Sequence, residues 1–109
     1  MRYEILQLKH NDEARELLFL SYDDVKEKCS TLADILDLYS VVYFGEIEDS
    51  SDKFKVLEDL FRIFNIDHPE DFRGHSLSVS DIVSLEANGE CEYWFCDRFG
   101  WKLLDKVLV

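Results

Sequence analysis

The Asn88-Gly89 pair constrains the fold of this chain more than any other feature of its sequence. The segments on either side, "DIVSLEA" and "ECEYWFCD", are rich in β-branched and aromatic residues. Because Asn-Gly tolerates the positive φ angles of a two-residue type I′ turn, the region predicts a β-hairpin. A two-residue loop then places apolar residues opposite one another: Val83 opposite Trp94, and Ile82 opposite Phe95.

The rest of the chain alternates between strand and helix patterns. "RYEILQL" and "SVVYFGEIE" predict strands, the second with a bulge or a strand end at Gly45. Ser21 and Ser30 are placed to cap two short helices, over "YDDVKEKC" and "TLADILDLY". Two segments stay ambiguous. "HNDEARELLFL" fits a short helix or a second strand, and "WKLLDKVL" fits a third C-terminal strand or a terminal helix.

"KFKVLEDLFRIFN" predicts the main packing helix, beginning after Ser51 or Asp52 and ending at Asn65. Its apolar residues cover a wide arc, with Val56, Leu60 and Ile63 beside a stripe formed by Phe54, Leu57, Phe61 and Phe64. So wide an arc is typical of a helix pressed against a sheet. We therefore expect one α+β domain over residues 1–109, with a small antiparallel sheet and a C-terminal hairpin or meander packed against two or three helices.

Charge is the strongest functional signal in the composition. Apolar residues make up 47% of the chain and aromatic residues 14%, which favours a globular protein although the net charge is -12. With 24 acidic residues against 12 basic ones, direct binding to nucleic acid is disfavoured, since phosphate contacts need Lys and Arg. An acidic surface is attracted instead to a protein partner with a basic groove. The plainer alternative is that the acidity only confers solubility.

The cysteines and the N-terminal segment indicate in which cellular compartment the protein is located. Cys29, Cys91 and Cys96 are odd in number and form no CxxC pair, which favours structural thiols in a reducing environment. The first residues contain neither a signal-peptide core nor the roughly 20 apolar residues of a spanning helix. We therefore expect a cytoplasmic protein that does not engage a membrane.

No metal or cofactor is predicted. Asp67, His68, Asp71 and His75 lie close together, but they straddle a proline and a glycine in a loop, whereas strong metal motifs place their ligands on a regular element. The four glycines are scattered singly, so the chain has no phosphate-binding loop or dinucleotide fingerprint.

The segment "HSLSVSDIV" brings together the residue types of a nucleophilic site, namely His75, Asp81 and three serines at alternate positions, Ser76, Ser78 and Ser80. Neighbours on a strand point to opposite faces, and the chain has no GxSxG elbow, so catalysis is not predicted. The segment fits a strand entry in which Leu77 and Val79 face inward and the serines outward. A turn or bulge at Ser80-Asp81 would let the carboxylate bond the local backbone.

Several stretches resemble the YodL-like domains of conjugative elements and phages. "FNIDHPEDFRGHSLSVSDIVSL", "NGE" and "DRFGWKLL" carry the resemblance over residues 64–100, and "YEILQLK", "SYDDV" and "VYFGEI" extend it loosely to nearly the whole chain. Trp101 departs from the smaller residue that members tend to show after "FG". The resemblance transfers no catalytic residue, but it implies a mobile genetic element as the setting.

The predicted function is therefore a non-catalytic binding protein that inhibits a host defence nuclease, an anti-CRISPR or anti-restriction protein. The acids predicted to face the basic nucleic-acid groove of that partner are Asp23, Asp24, Glu46, Glu48, Asp49 and Asp52. A second hypothesis is an accessory module of the element's transfer or replication machinery, which binds through the aromatic hairpin from Tyr93 to Trp101. A third, the least favoured, is an enzyme that uses His75 with Ser78 or Asp81.

Overall fold

A five-stranded antiparallel sheet forms the centre of the fold in a computed structural model that describes residues 1–109. The strands are β1 (Arg2–Leu8), β2 (Tyr39–Glu46), β3 (Ile82–Ala87), β4 (Glu90–Cys96) and β5 (Trp101–Leu108). Their order across the sheet is β2-β1-β3-β4-β5, so the last three strands form a meander. With four helices packed on this sheet, the fold is α+β, as the sequence predicts.

The predicted hairpin is confirmed in position and in register. Asn88 and Gly89 have φ angles of 54° and 78°, and the β3–β4 ladder pairs Val83 with Trp94 and Ile82 with Phe95. The ambiguous "WKLLDKVL" segment is β5, which pairs with β4 from Trp101 to Leu108 with one register shift, opposite Tyr93 and Trp94. The aromatic segment of β4 therefore lies between two strands, as an internal part of the sheet.

Each helix begins at a side-chain cap. The helices are α1 (Asp12–Arg15), α2 (Tyr22–Lys28), α3 (Leu32–Leu36) and α4 (Lys53–Ile66), and their caps are Asn11, Ser21, Thr31 and Asp52. The prediction of Ser30 as a cap is wrong by one residue, and α3 ends early because Tyr39 already belongs to β2. The "ELLFL" segment is a turn rather than a strand. None of the helices is long and apolar enough to cross a membrane.

The helices cover both faces of the sheet. Helix α4 packs on one face with Ile5, Val83 and Trp94, whereas α1, α2 and α3 pack on the other with Leu6 and Phe95. Successive residues of a strand point to opposite faces, so the two sets of core residues alternate along β1 and β4. The sheet is thus the middle layer of three.

The buried stripe of α4 differs from the predicted one. Val56, Leu57, Leu60 and Phe64 are buried, whereas Phe54 and Phe61 are 56% and 36% exposed. The helix is rotated so that these two phenylalanines lie at its margins. There they contact tryptophans edge-on, Phe54 with Trp94 at 5.3 Å and Phe61 with Trp101 at 6.5 Å between ring centroids.

Strand β2 contains its irregularity near its middle and not at Gly45. The β1–β2 register shifts between Ile5 and Leu6, whose partners are Tyr43 and Val41. A different constraint explains Gly45, because a Cβ there would lie 2.9 Å from the hydroxyl oxygen of Tyr3. The close approach of that ring, and not a bulge, requires a residue without a side chain.

The residues before β3 form a turn instead of a strand entry. Leu77 is buried as predicted, and the turn lies at Val79 and Ser80. The prediction that Ser80 faces outward is wrong, since Ser80 is fully buried with a φ of 82°. Its carbonyl accepts a hydrogen bond from the hydroxyl of Tyr39. The positive φ folds the chain inward, so that Ser80 lies inside the molecule.

Candidate functional site

The first group of predicted acids lies on α2. Asp23 and Asp24 occupy its first turn and are exposed, where negative charge also suits the helix dipole. The start of this helix is held against the end of β4, because the backbone N–H of Tyr22 donates to the Asp97 carboxylate at 3.1 Å. These two acids therefore belong to the sheet end at which β4 finishes.

The second group of predicted acids follows β2. Glu46 ends that strand, Glu48 and Asp49 lie in the connection, and Asp52 caps α4 by accepting from the N–H of Lys55 at 3.2 Å. All four side chains are exposed. Asp49 also forms an ion pair with the amino group of Met1, which donates a hydrogen bond to its carboxylate.

The structure separates the two acidic groups. The residues 46–52 lie at the hairpin end of the sheet, since Glu46 pairs with Arg2 and Arg2 pairs with Glu86 close to the Asn88-Gly89 turn. Strand β4 runs from that turn towards the α2 end, and its seven residues span roughly 20 Å. Helices α2 and α4 also lie on opposite faces. The six predicted acids thus form two surfaces instead of one.

Most of the negative charge is free of ion pairs. Five acidic residues of the 24 take part in a salt bridge, namely Asp49, Glu92, Asp59, Asp81 and Glu90. The other predicted acids, Asp23, Asp24, Glu46, Glu48 and Asp52, have no cation within ion-pair distance. Their carboxylates are open to a basic partner.

The aromatic hairpin of the second hypothesis is mostly core. Trp94 and Trp101 are 8% and 5% exposed, so their rings cannot form a contact surface. Phe99, in the turn between β4 and β5, is 90% exposed. The structure therefore narrows that candidate surface to the turn.

The four residues weighed as metal ligands do not converge. The Asp71 carboxylate accepts a hydrogen bond from the hydroxyl of Tyr43 at 3.0 Å, and the Nδ1 of His68 lies 2.9 Å from its neighbouring carbonyl. His75 faces Asp81 instead, at 3.7 Å. No three His, Cys, Asp or Glu side chains of the structure are arranged to hold a metal ion.

His75 and Asp81 are joined by a residue that sequence reasoning did not single out. Gln7 on β1 is 3% exposed, and its amide nitrogen donates to the His75 carbonyl at 2.7 Å and to Asp81 Oδ2 at 3.2 Å. Its amide oxygen accepts from the N–H of His75 at 3.1 Å. Both ends of the Gln7 side-chain amide are thus hydrogen-bonded, and they fix the loop at residue 75. The available signal was a polar side chain on a strand with two apolar faces.

Asp81 is a buried carboxyl group with an unusual protonation equilibrium. Burial raises its pKa to about 7, against the opposing effects of His75, the backbone N–H of Ser78 and the amide of Gln7. The Ser78 N–H donates to Asp81 Oδ2 at 3.0 Å, which confirms that this carboxyl bonds the local backbone. The Ser78 hydroxyl makes no hydrogen bond to His75, so the three residues form a polar network without a serine–histidine pair.

These features define the class as a small α+β domain with an open antiparallel sheet and a highly acidic surface. The family model of the YodL-like domain matches residues 2–106. The chain therefore belongs to the YodL-like domain family, and the resemblance seen in the sequence is confirmed at that level. Searches of curated proteins and of solved structures found no match.

Proposed function

We propose that this chain is a non-catalytic acidic binding protein of a mobile genetic element, a phage or a conjugative element. It inhibits a host defence nuclease of the CRISPR or restriction type, in the cytoplasm of the host bacterium, by occupying the basic groove that holds nucleic acid. The observation that carries the proposal is the exposed segment from residue 46 to residue 52, in which Glu46, Glu48 and Asp52 have no ion-pair partner.

Electrostatics gives this segment a physical role. In a molecule of net charge -12, the exposed carboxylates add to a field that steers the protein towards a positive groove and raises the association rate. The anchoring of the segment favours a defined geometry, because Asp52 caps a 14-residue helix and Ile47 donates its N–H to the Met1 carbonyl at 2.9 Å. The mobile-element setting is inferred from the family resemblance.

The proposal is tested by neutralising each acidic group separately. One variant combines Glu46→Gln, Glu48→Gln and Asp52→Asn, in which the asparagine keeps the helix cap. The matched variant removes the same charge from the α2 end by Asp23→Asn, Asp24→Asn and Glu27→Gln. Both are assayed against a panel of purified CRISPR and restriction nucleases at low and high salt.

We expect inhibition of one nuclease to weaken by about tenfold or more in the first variant and to fall with salt. A loss confined to the second variant would move the contact to α2. The proposal would be refuted if the native chain inhibited none of the nucleases. It would also be refuted if both variants inhibited as strongly as the native chain and salt had no effect.

A second candidate function is the accessory interaction module of the element's own transfer or replication machinery. The observation that favours it is Phe99, a large apolar side chain that is 90% exposed. Binding through this turn would depend little on salt, and Phe99→Ala would abolish it without affecting the fold. Binding that survives this substitution but weakens with salt would favour the acidic surface.

A further inference from the structure

A cleft without acidic side chains opens where β1 ends. It consists of two adjoining hollows of about 650 Å³ and 390 Å³, which share Leu8, Lys9, His10 and His75. The first hollow extends towards Arg73 and Gly74, and the second towards α1 and the turn after it. Volumes in this range suit a small ligand.

The lining of the cleft is cationic, in contrast to the rest of the molecule. Five of the fifteen Lys, Arg and His residues of the chain line it: Lys9, His10, Arg15, Arg73 and His75. No Asp or Glu is among the lining residues of either hollow. In a chain with twice as many acidic as basic residues, this concentration of positive charge is the reverse of the overall composition.

The cations of the cleft are held by neutral groups. The Lys9 ammonium donates to the Asp37 carbonyl at 2.7 Å, and the Arg73 guanidinium donates to the carbonyls of Glu70 and Phe72 at 2.6 Å and 3.2 Å. Carbonyl oxygens orient these side chains without cancelling their charge. The one carboxylate within ion-pair distance of a lining cation is that of Asp81, at 3.7 Å from His75.

Buried polar side chains support the lining of the cleft from behind. Gln7 and Asp81 are 3% and 2% exposed and fix the position of His75, whose side chain remains 51% exposed. Gly74 allows this arrangement, because a Cβ there would lie 2.6 Å from the amide oxygen of Gln7. A hydrogen-bonded network of buried side chains thus supports His75 where it faces the cleft. Ligand-binding side chains are positioned by supporting networks of this kind.

Backbone strain is concentrated beside the same cleft. Phe19 and Ser80 have φ angles of 63° and 82°, and the Phe19 N–H donates to the Ser80 hydroxyl oxygen at 3.3 Å. Phe19 lines the second hollow, and its side chain is 57% exposed. Such conformations are costly for residues other than glycine and cluster at binding sites. Here they set an aromatic ring next to the cationic lining.

We propose that this cleft binds a phosphate-bearing small molecule, whose phosphate oxygens contact Lys9 and Arg73 in the first hollow and Arg15 in the adjoining one. Guanidinium groups match the geometry of phosphate through paired N–H donors, and ammonium adds a further charge-assisted hydrogen bond. The site is separate from the acidic segment of residues 46–52, because β1 runs from Arg2, opposite Glu46, to the cleft at its other end. The proposal therefore does not depend on the proposed function.

The test is an NMR titration of the isotope-labelled chain with pyrophosphate, with citrate and sulfate as comparison anions at constant ionic strength. We expect saturable shifts at residues 9–10, 15 and 73–75 with pyrophosphate, and a dissociation constant on the order of 1 mM or tighter. Citrate and sulfate should bind about tenfold more weakly.

Arg15→Gln and Arg73→Gln should each weaken pyrophosphate binding by about tenfold, the loss expected for a charge-assisted hydrogen bond. Lys106→Gln removes the same charge from β5, away from the cleft, and should change binding less than about twofold. Both arginines are exposed, so their truncation leaves the core intact.

Citrate binding as tight as pyrophosphate would overturn the phosphate assignment. Shifts that do not saturate, or that involve Lys106 as strongly as Arg15 and Arg73, would show adventitious ion binding only and would overturn the site itself.

Discussion

Replacing Asp81 by asparagine isolates the energetic effect of the one carboxyl group that is almost fully buried. Asp81 Oδ2 accepts hydrogen bonds from the N–H of Ser78 and the amide of Gln7. The oxygen of an asparagine can accept both, while its NH2 group takes the place of Oδ1 facing His75. The substitution therefore keeps the shape and the hydrogen bonds of the network and removes its titration.

The size of the pH-dependent change in the free energy of unfolding follows from the pKa of Asp81, which burial raises from 3.8 to about 7. Between these two values the unfolded chain is ionised while the native protein still holds its proton, so rising pH favours unfolding. The stability associated with the protonated carboxyl is fully present below pH 4 and is lost as pH rises through 7. At about 1.4 kcal/mol for each tenfold change, the loss amounts to roughly 4 kcal/mol as an upper value.

Urea unfolding of the native chain and of Asp81→Asn at a series of pH values measures this effect. The difference between their free energies of unfolding should grow by several kcal/mol from about pH 4 to pH 8, in favour of the variant. Taking the difference cancels the titration of the other acids, and Glu70→Gln, an exposed carboxyl in a loop, controls for the loss of one charge. A difference that stays flat over this range would refute the buried-carboxyl reasoning.

Two further substitutions test packing. Gly74→Ala should destabilise the fold by about 1–3 kcal/mol in urea unfolding, because the new Cβ meets the amide oxygen of Gln7 at 2.6 Å, and it should shift the amide signal of His75. Trp94→Ala should cost about 3–5 kcal/mol because its ring is buried, whereas Phe99→Ala should stay within about 0.5 kcal/mol; equal effects of the two would contradict the assigned burial.

Local signals in the sequence were sufficient for most of the fold. The Asn88-Gly89 turn fixed the β3–β4 register because the turn type allows only one pairing. Polar caps located the starts of α2 and α4, and the misplaced start of α3 shows the limit of this signal, since Ser30 and Thr31 are adjacent and both residue types cap helices. The face of α4 was less predictable: Phe54 and Phe61 fit the apolar stripe by periodicity, but contacts with the sheet decide which apolar residues are buried.

The sites were less predictable because they depend on residues far apart in the chain. The segment "HSLSVSDIV" named His75 and Asp81 as a possible pair, but Gln7, the residue that joins them, lies on β1 and reaches them only in the folded sheet. The cationic cleft likewise draws from β1, α1 and the loop at residue 73. The net charge of the whole sequence does not reveal this local concentration of cationic side chains. It does not reveal the separation of the acidic residues into two groups either.

The opposite charges of the two surfaces make salt a means of separating the proposed functions. An acidic segment that binds a basic groove gains from the long-range field of the whole molecule, so its affinity should fall as salt screens that field. A phosphate entering the cleft is repelled by the same field at long range and attracted only by the nearby cations. Salt screens both the long-range repulsion and the local attraction, and the two changes partly cancel. Anion binding at Arg73 should therefore respond less steeply to salt than binding at Glu46 and Glu48 does. Equal salt dependence at both sites would contradict this reasoning, because it would show that repulsion of the phosphate by the net charge has no measurable effect.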